Sequence, residues 1–177
     1  MKIRKNNWYV VTGGPCSGKT TVLLELAERG FTVIPEAARV YIETELKKGR
    51  KLADIRKNEL AFQQGILKTK IDLEKKLPPQ KTVFFDRAIP DSVAYYRKCG
   101  LLNDTELTKA VQKSIYKKVF VFELLEYSAD YARIESKVEA QLLETWLLEA
   151  YRALPAPVVY VPRMSVEERV QFVLNGL

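Results

Sequence analysis

The chain has 177 residues, 47% hydrophobic, 29% charged and 10% aromatic, with only 8 Gly and 8 Pro. That is the size and composition of one globular domain, and it excludes collagenous, coiled-coil and disordered classes. Histidine is absent, which excludes a Ser-His-Asp triad, a Cys-His dyad, a His-ligated zinc and a histidine pH switch.

The net charge is +7, and its distribution is lopsided: residues 1–80 hold 16 basic and 9 acidic side chains, residues 81–177 hold 13 and 13. Such an excess suits an anionic partner: a nucleotide, an acidic lipid or nucleic acid. The basic N-terminus through Val11 has too short an apolar stretch for a signal peptide, and no run approaches the ~18 apolar residues of a membrane span. Cys16 and Cys99 show neither zinc spacing nor a disulfide framework. The expected location is the cytoplasm, without a transmembrane segment.

The first expected strand, Trp8 to Thr12, runs into Gly13-Gly14-Pro15-Cys16-Ser17-Gly18-Lys19-Thr20, a G-x-x-x-x-G-K-[ST] string. An apolar periodic helix from Lys19 to Arg29 follows. Strand, glycine-rich turn and helix N-terminus together form a phosphate cradle. Lys19 is expected to reach the β and γ phosphates, Thr20 to ligate Mg²⁺ and Thr21 to touch the α-phosphate.

The second strand, Phe31 to Ile34, ends in Pro35-Glu36-Ala-Ala-Arg39. Glu36 at a strand end can orient or deprotonate an attacking hydroxyl. Arg39 either holds a phosphate or carboxylate or pairs with Glu36 or Glu43 along the helix Ala37 to Lys48. The basic run Lys47-Lys-Gly-Arg-Lys51 is either a solvated helix end or a docking patch. A long helix is expected over Ile55 to Lys76. On it, Gln63 and Gln64 could read a nucleobase edge or form a polar helix face. Thr69-Lys-Ile-Asp72 has the pattern of a guanine-reading loop but falls inside this helix, where it cannot serve as one.

The third strand, Thr82 to Phe85, leads into Asp86-Arg87. A carboxylate ending an apolar strand reaches the sheet edge where open α/β folds bind ligands, so Asp86 is expected to ligate the metal. Asp91, in the first turn of a helix running from Pro90 to Gly100, is expected to cap it. Arg87, following the Asp at the site, either places a cation on transferring phosphate or is a surface arginine. Arg133, between the fourth strand (Val119 to Phe122) and a helix ending at Ala153, could act from a lid. The fifth strand, Val158 to Val161, precedes Ser165-Val-Glu-Glu168, a capping box opening a helix that stops at Asn175-Gly176. Strands alternating with helices, without linker or repeat, predict a single α/β domain over 1–177 with a parallel sheet.

Thr12 to Thr21, Pro35 to Arg39, Leu60-Ala-Phe-Gln-Gln64, Phe85-Asp-Arg-Ala-Ile-Pro-Asp-Ser-Val-Ala-Tyr95 and Val161 to Arg169 together resemble the AAA-type P-loop family. That family includes the ribosylnicotinamide kinase domain of NadR and the TRPL translocation defect protein. The resemblance implies a P-loop NTPase three-layer sandwich. Its five-stranded parallel sheet would have the order 2-3-1-4-5, placing Asp86 beside the P-loop, in a nucleoside/nucleotide-kinase-like core with a short lid at Asp130 to Glu135. The Asp-Arg string also looks like that of thymidylate kinases, in which the Arg contacts substrate phosphate.

The expected function is an Mg²⁺-dependent phosphotransferase using ATP or GTP on a small nucleoside- or nucleotide-like acceptor. Lys19, Glu36, Asp86 and Arg133 would be catalytic, and Arg39, Gln63, Gln64 and Arg87 would face the acceptor. The alternative is a regulatory NTPase that slowly hydrolyses ATP or GTP and engages a protein or acidic lipid. Nucleic acid is the least supported partner, because no recognised motif is present and the basic residues are not interleaved with stacking aromatics.

Overall fold

The computed structural model describes residues 6–101, 104–125 and 137–177. Five strands, β1 (Trp8–Thr12), β2 (Thr32–Ile34), β3 (Val83–Asp86), β4 (Lys118–Phe122) and β5 (Val158–Val161), form one sheet in the order β2-β3-β1-β4-β5. All four pairings are parallel, with Val10 opposite Phe85 and Val119. The strand C-termini therefore gather at one edge, where β1 ends in the glycine-rich turn and β3 ends in Asp86.

Period-two alternation splits the strand side chains between two cores. Tyr9, Val11, Phe84, Phe120 and Phe122 pack with Val22 and Leu26 of α1 (Lys19–Glu28) and Val170 and Val173 of α8 (Val166–Asn175). Trp8, Val10, Val83, Phe85 and Val121 face the other way, onto Tyr151 of α7 (Lys137–Arg152). Helices thus cover both faces, which makes the three-layer sandwich. The capping box at Ser165 and Glu168 is formed with both reciprocal bonds.

One expectation is corrected, and one helix is added to those read from the sequence. The helix expected over Ile55 to Lys76 is two helices, α3 (Leu52–Arg56) and α4 (Glu59–Lys75), following α2 (Ala37–Lys47). The break lies at Asn58, which is extended and caps α4 by accepting from the Ala61 N–H at 3.0 Å. Beyond α5 (Asp91–Lys98), the segment left without an element forms α6 (Thr105–Lys113), capped by Asp104 accepting from the Leu107 N–H at 2.8 Å. Its apolar face is short, with Leu107 packed beside Leu67, Ile89 and Tyr96. No helix among the described residues is long and apolar enough to cross a membrane.

Glu74 near the end of α4 accepts a hydrogen bond from the Tyr116 hydroxyl at 2.7 Å. Burial nevertheless pushes its carboxyl pKa up to about 7, partly opposed by that bond. A carboxyl whose folded pKa is raised contributes most below its unfolded value, and the contribution is lost as pH rises through 7. Glu74→Gln is therefore expected to raise stability at pH 8 by at most about 3 kcal/mol, with no gain at pH 4. Paired thermal melts at the two pH values check this; equal gains at both would detach the effect from ionisation.

Candidate active site

The turn after β1 needs glycine where the chain passes closest to the sheet. Gly13 has φ +141°, and a Cβ there would stand 2.5 Å from the Phe122 carbonyl oxygen. Cys16 and Arg87 are the non-glycine residues with left-handed φ among the described residues, both at +63°. Both lie at this sheet edge, where strained backbone aims functional groups.

Lys19 folds back over its own loop, donating to the carbonyls of Gly14 at 2.9 Å and Gly13 at 3.3 Å and to the Ser17 hydroxyl at 3.1 Å. Burial draws its pKa down to about 8; Arg87 adds to that shift, while Asp86, Glu36 and Asp91 oppose it. The P-loop lysine and the charged groups of the neighbouring strands thus share one electrostatic site. No acidic residue occupies the first turn of α1, and Gly18 caps it without a side chain, so its N-terminal N–H groups are not taken by a side-chain cap. Thr20 and Thr21 are exposed at its start.

Asp86 is 7% exposed, and its Oδ1 is buried without a hydrogen-bond partner among the described residues. Burial raises its pKa, against the pull of Lys19 and Arg87. Arg87 continues the strand, donating its N–H to the Val11 carbonyl at 3.1 Å, while its left-handed turn sends the side chain inward. Its Nε lies 3.6 Å from Glu36 Oε1, its Nη1 3.4 Å from Asp91 Oδ1, and its guanidinium 5.5 Å from the centre of the Tyr95 ring. Glu36 therefore pairs with Arg87 and not with Arg39.

Asp91 has a wider role than the expected cap. It is fully buried, and its two oxygens accept from the Thr12 hydroxyl at 2.5 Å, the Ala88 N–H at 2.8 Å, Arg87 and the Tyr151 hydroxyl. One carboxylate thereby joins the ends of β1 and β3 to α5 and α7. Its position at the head of a helix hides this in sequence, because Thr12 and Tyr151 are 79 and 60 residues away along the chain.

Beside this cluster a cavity of about 370 Å³ opens, lined among others by Glu36, Phe62, Gln63, Lys70, Arg87 and Tyr95. Gln63 is buried there and donates to Glu59 Oε1 at 2.8 Å. Gln64 is exposed and does not line the cavity; adjacent helical residues point about 100° apart. Arg39 is likewise exposed and outside the lining. Lys70, missed in sequence, is 6% exposed and donates to the Ser92 hydroxyl at 2.9 Å. Arg133 and the expected lid lie outside the described residues. In the basic run, Lys48 and Arg50 both pair with Glu45 at 2.7 Å. A larger cleft of about 740 Å³ opens at the opposite sheet edge, between α4 and α6, and contains none of these site residues.

A family model described as an AAA domain matches residues 8–169. The chain belongs to this AAA domain family. No curated protein matches. Among solved structures the AAA domain is similar to a deoxyadenosine kinase from M. mycoides with bound dCTP, at TM-score 0.65 and 14% identity, covering 96% of this chain and 97% of that one. It is similar also to a thymidylate kinase from Ehrlichia chaffeensis, at TM-score 0.64 and 14% identity, covering 97% and 98%. These likenesses show the shared P-loop kinase-like fold.

The last matched residue of the AAA domain, Arg169 on α8, reaches back to the phosphate loop. It is 2% exposed, donates from Nη1 to the Ser17 carbonyl at 2.8 Å and lies over the Phe122 ring at 5.6 Å. The resemblance includes this residue without giving it a role. The structure shows it bracing the loop from the far end of the chain.

Proposed function

We propose that this AAA domain is a phosphotransferase that moves the γ-phosphoryl group of ATP or GTP to a small nucleoside- or nucleotide-like acceptor. The observation that carries this reading is the pair Asp86-Arg87. Consecutive residues at the end of β3 stand between the P-loop lysine and a cavity holding Glu36. A site for simple hydrolysis has no need of a second, charged cavity there.

In the proposed reaction, the acceptor hydroxyl oxygen attacks the γ-phosphorus. The bond from that phosphorus to the β–γ bridging oxygen breaks, and its electron pair stays on the β-phosphate. The hydroxyl proton passes to the Glu36 carboxylate. Loop N–H groups and Lys19 hold the phosphates, and Arg87 orients Glu36. The Thr20 hydroxyl and the unpartnered Asp86 oxygen would hold Mg²⁺, whose charge neutralises the β and γ phosphates when bound. Catalysis of this kind is positioning plus electrostatics and requires no histidine.

Glu36→Gln is expected to lower acceptor-dependent turnover about a hundredfold while leaving nucleotide affinity within about twofold. Unchanged turnover would remove Glu36 from the proton transfer. The deciding assay measures ADP or GDP formation with and without nucleosides, nucleotides and nicotinamide riboside. Stimulation by an acceptor supports phosphoryl transfer. Acceptor-independent hydrolysis throughout would instead favour the regulatory NTPase with a protein or acidic-lipid partner.

A further inference from the structure

The cavity beside Glu36 has an unbalanced set of charges. Its lining includes Arg56, Lys70, Arg87 and Lys98 against Glu36 and Glu59. Both carboxylates are engaged: Glu36 by Arg87, and Glu59 by the Gln63 amide and the Cys99 thiol. Arg87 is shared between Glu36 and Asp91, and Arg56 lies over the Phe62 ring at 5.1 Å. Lys70 is different. It is more than nine-tenths buried, lines the cavity, and has the Ser92 hydroxyl as hydrogen-bond partner, with no ion pair among the described residues. An ammonium has more donors than one hydroxyl can take up, and a buried charge without a counter-ion is costly.

We infer that the acceptor carries an anionic group, a phosphate or a carboxylate, and that Lys70 is the residue that selects it. This rests on the reading of the cavity as the acceptor site. The carboxylates of Asp91, Glu36 and Glu74 act on the ammonium from beyond ion-pair distance, so a neutral nucleoside would leave it without a contacting counter-ion, whereas an anion supplies one inside a low-dielectric wall. Lys70 is on α4 and Glu36 lies at the entry to α2, so the acceptor presents its anion to one element and its reacting oxygen to the other. A cavity of about 370 Å³ falls in the range of roughly 300–1,000 Å³ that small-molecule sites occupy.

The test is calorimetric titration of the full chain with adenosine, cytidine and thymidine, with their 3′- and 5′-monophosphates, and with orotidine as a carboxylate-bearing nucleoside. At least one anionic compound is expected to bind about tenfold or more tightly than its neutral counterpart. Monophosphate and orotidine arms separate phosphate from carboxylate. Lys70→Met is expected to abolish that preference by weakening the anionic compounds about tenfold or more, and Lys70→Arg to keep most of it. Equal binding of neutral and anionic compounds to the wild-type chain would overturn the inference, as would a preference that survives in Lys70→Met. So would a lack of binding by every anionic compound at millimolar concentration. The wild-type comparison holds even if the Met variant fails to fold. Acceptor-dependent ADP or GDP formation is followed in parallel. Its absence counts against phosphoryl transfer, while the binding preference is still read by calorimetry.

Discussion

Replacing Lys19 by Ala is expected to weaken ATP and GTP binding about a thousandfold, the loss of two charge-assisted phosphate contacts. The ammonium already sits at the mouth of the loop, bonded to the Gly13 and Gly14 carbonyls and to Ser17, with burial drawing its pKa down to about 8. A bound phosphate chain offers this desolvated cation charged partners in place of neutral carbonyls and a hydroxyl, which is where the affinity comes from. The substitution removes a desolvated cation, so the fold itself should lose little. Titration calorimetry with each nucleotide, beside a thermal melt of the free variant, separates the two effects. Retention of wild-type affinity in a folded Lys19→Ala chain would refute the assignment of this loop as the phosphate site.

Asp91→Ala is expected to act in the opposite manner, costing about 3–5 kcal/mol of stability, the range for breaking a buried charged network. Its two oxygens hold Thr12, the Ala88 N–H, Arg87 and Tyr151; when the carboxylate goes, the Thr12 and Tyr151 hydroxyls lose their acceptor in the interior, while Arg87 keeps Glu36 and the Ala88 N–H keeps the Tyr151 oxygen. In a chain of this size that corresponds to a melting temperature lower by roughly 6–20 °C. Asp91→Asn keeps acceptor capacity at one oxygen but cannot receive all four donors, so it should fall between Ala and wild type. Activity should fall too, since Arg87 loses the contact that fixes its outer end. A melting temperature for Asp91→Ala within about 2 °C of wild type would show that the network is not a structural hub.

The basic run at 47–51 illustrates how packing reduces a sequence-level signal. Four cations in five residues suggest a patch, but Glu45, one helical turn back, engages Lys48 and Arg50. Glu45 is among the buried residues of α2. Exposed charge at this helix end is therefore smaller than the composition implies.

The sequence by itself determined the parts of this protein whose physics is local. The phosphate loop is a contiguous string; the strands are short apolar runs with turn signals, and all five begin and end within one residue of expectation. The placement of Asp86 and Glu36 at the sheet edge was legible because a carboxylate at the end of an apolar strand, or two residues past it, emerges there. Tertiary structure decided everything that depends on distant partners. It set the pairing of Glu36 with Arg87 in place of Arg39, turned Gln63 inward and left Gln64 outside. It also made Asp91 a four-donor hub and brought Arg169 back to the phosphate loop. Lys70 is the clearest case. On the sequence it is one lysine among many in a helix, and only the packing of α4 against the head of α5 buries it beside a hydroxyl, with the carboxylates of Asp91, Glu36 and Glu74 acting on it only from beyond ion-pair distance. Periodicity sets which face a residue takes; the charge it meets there is set by chain segments whose approach no local pattern encodes.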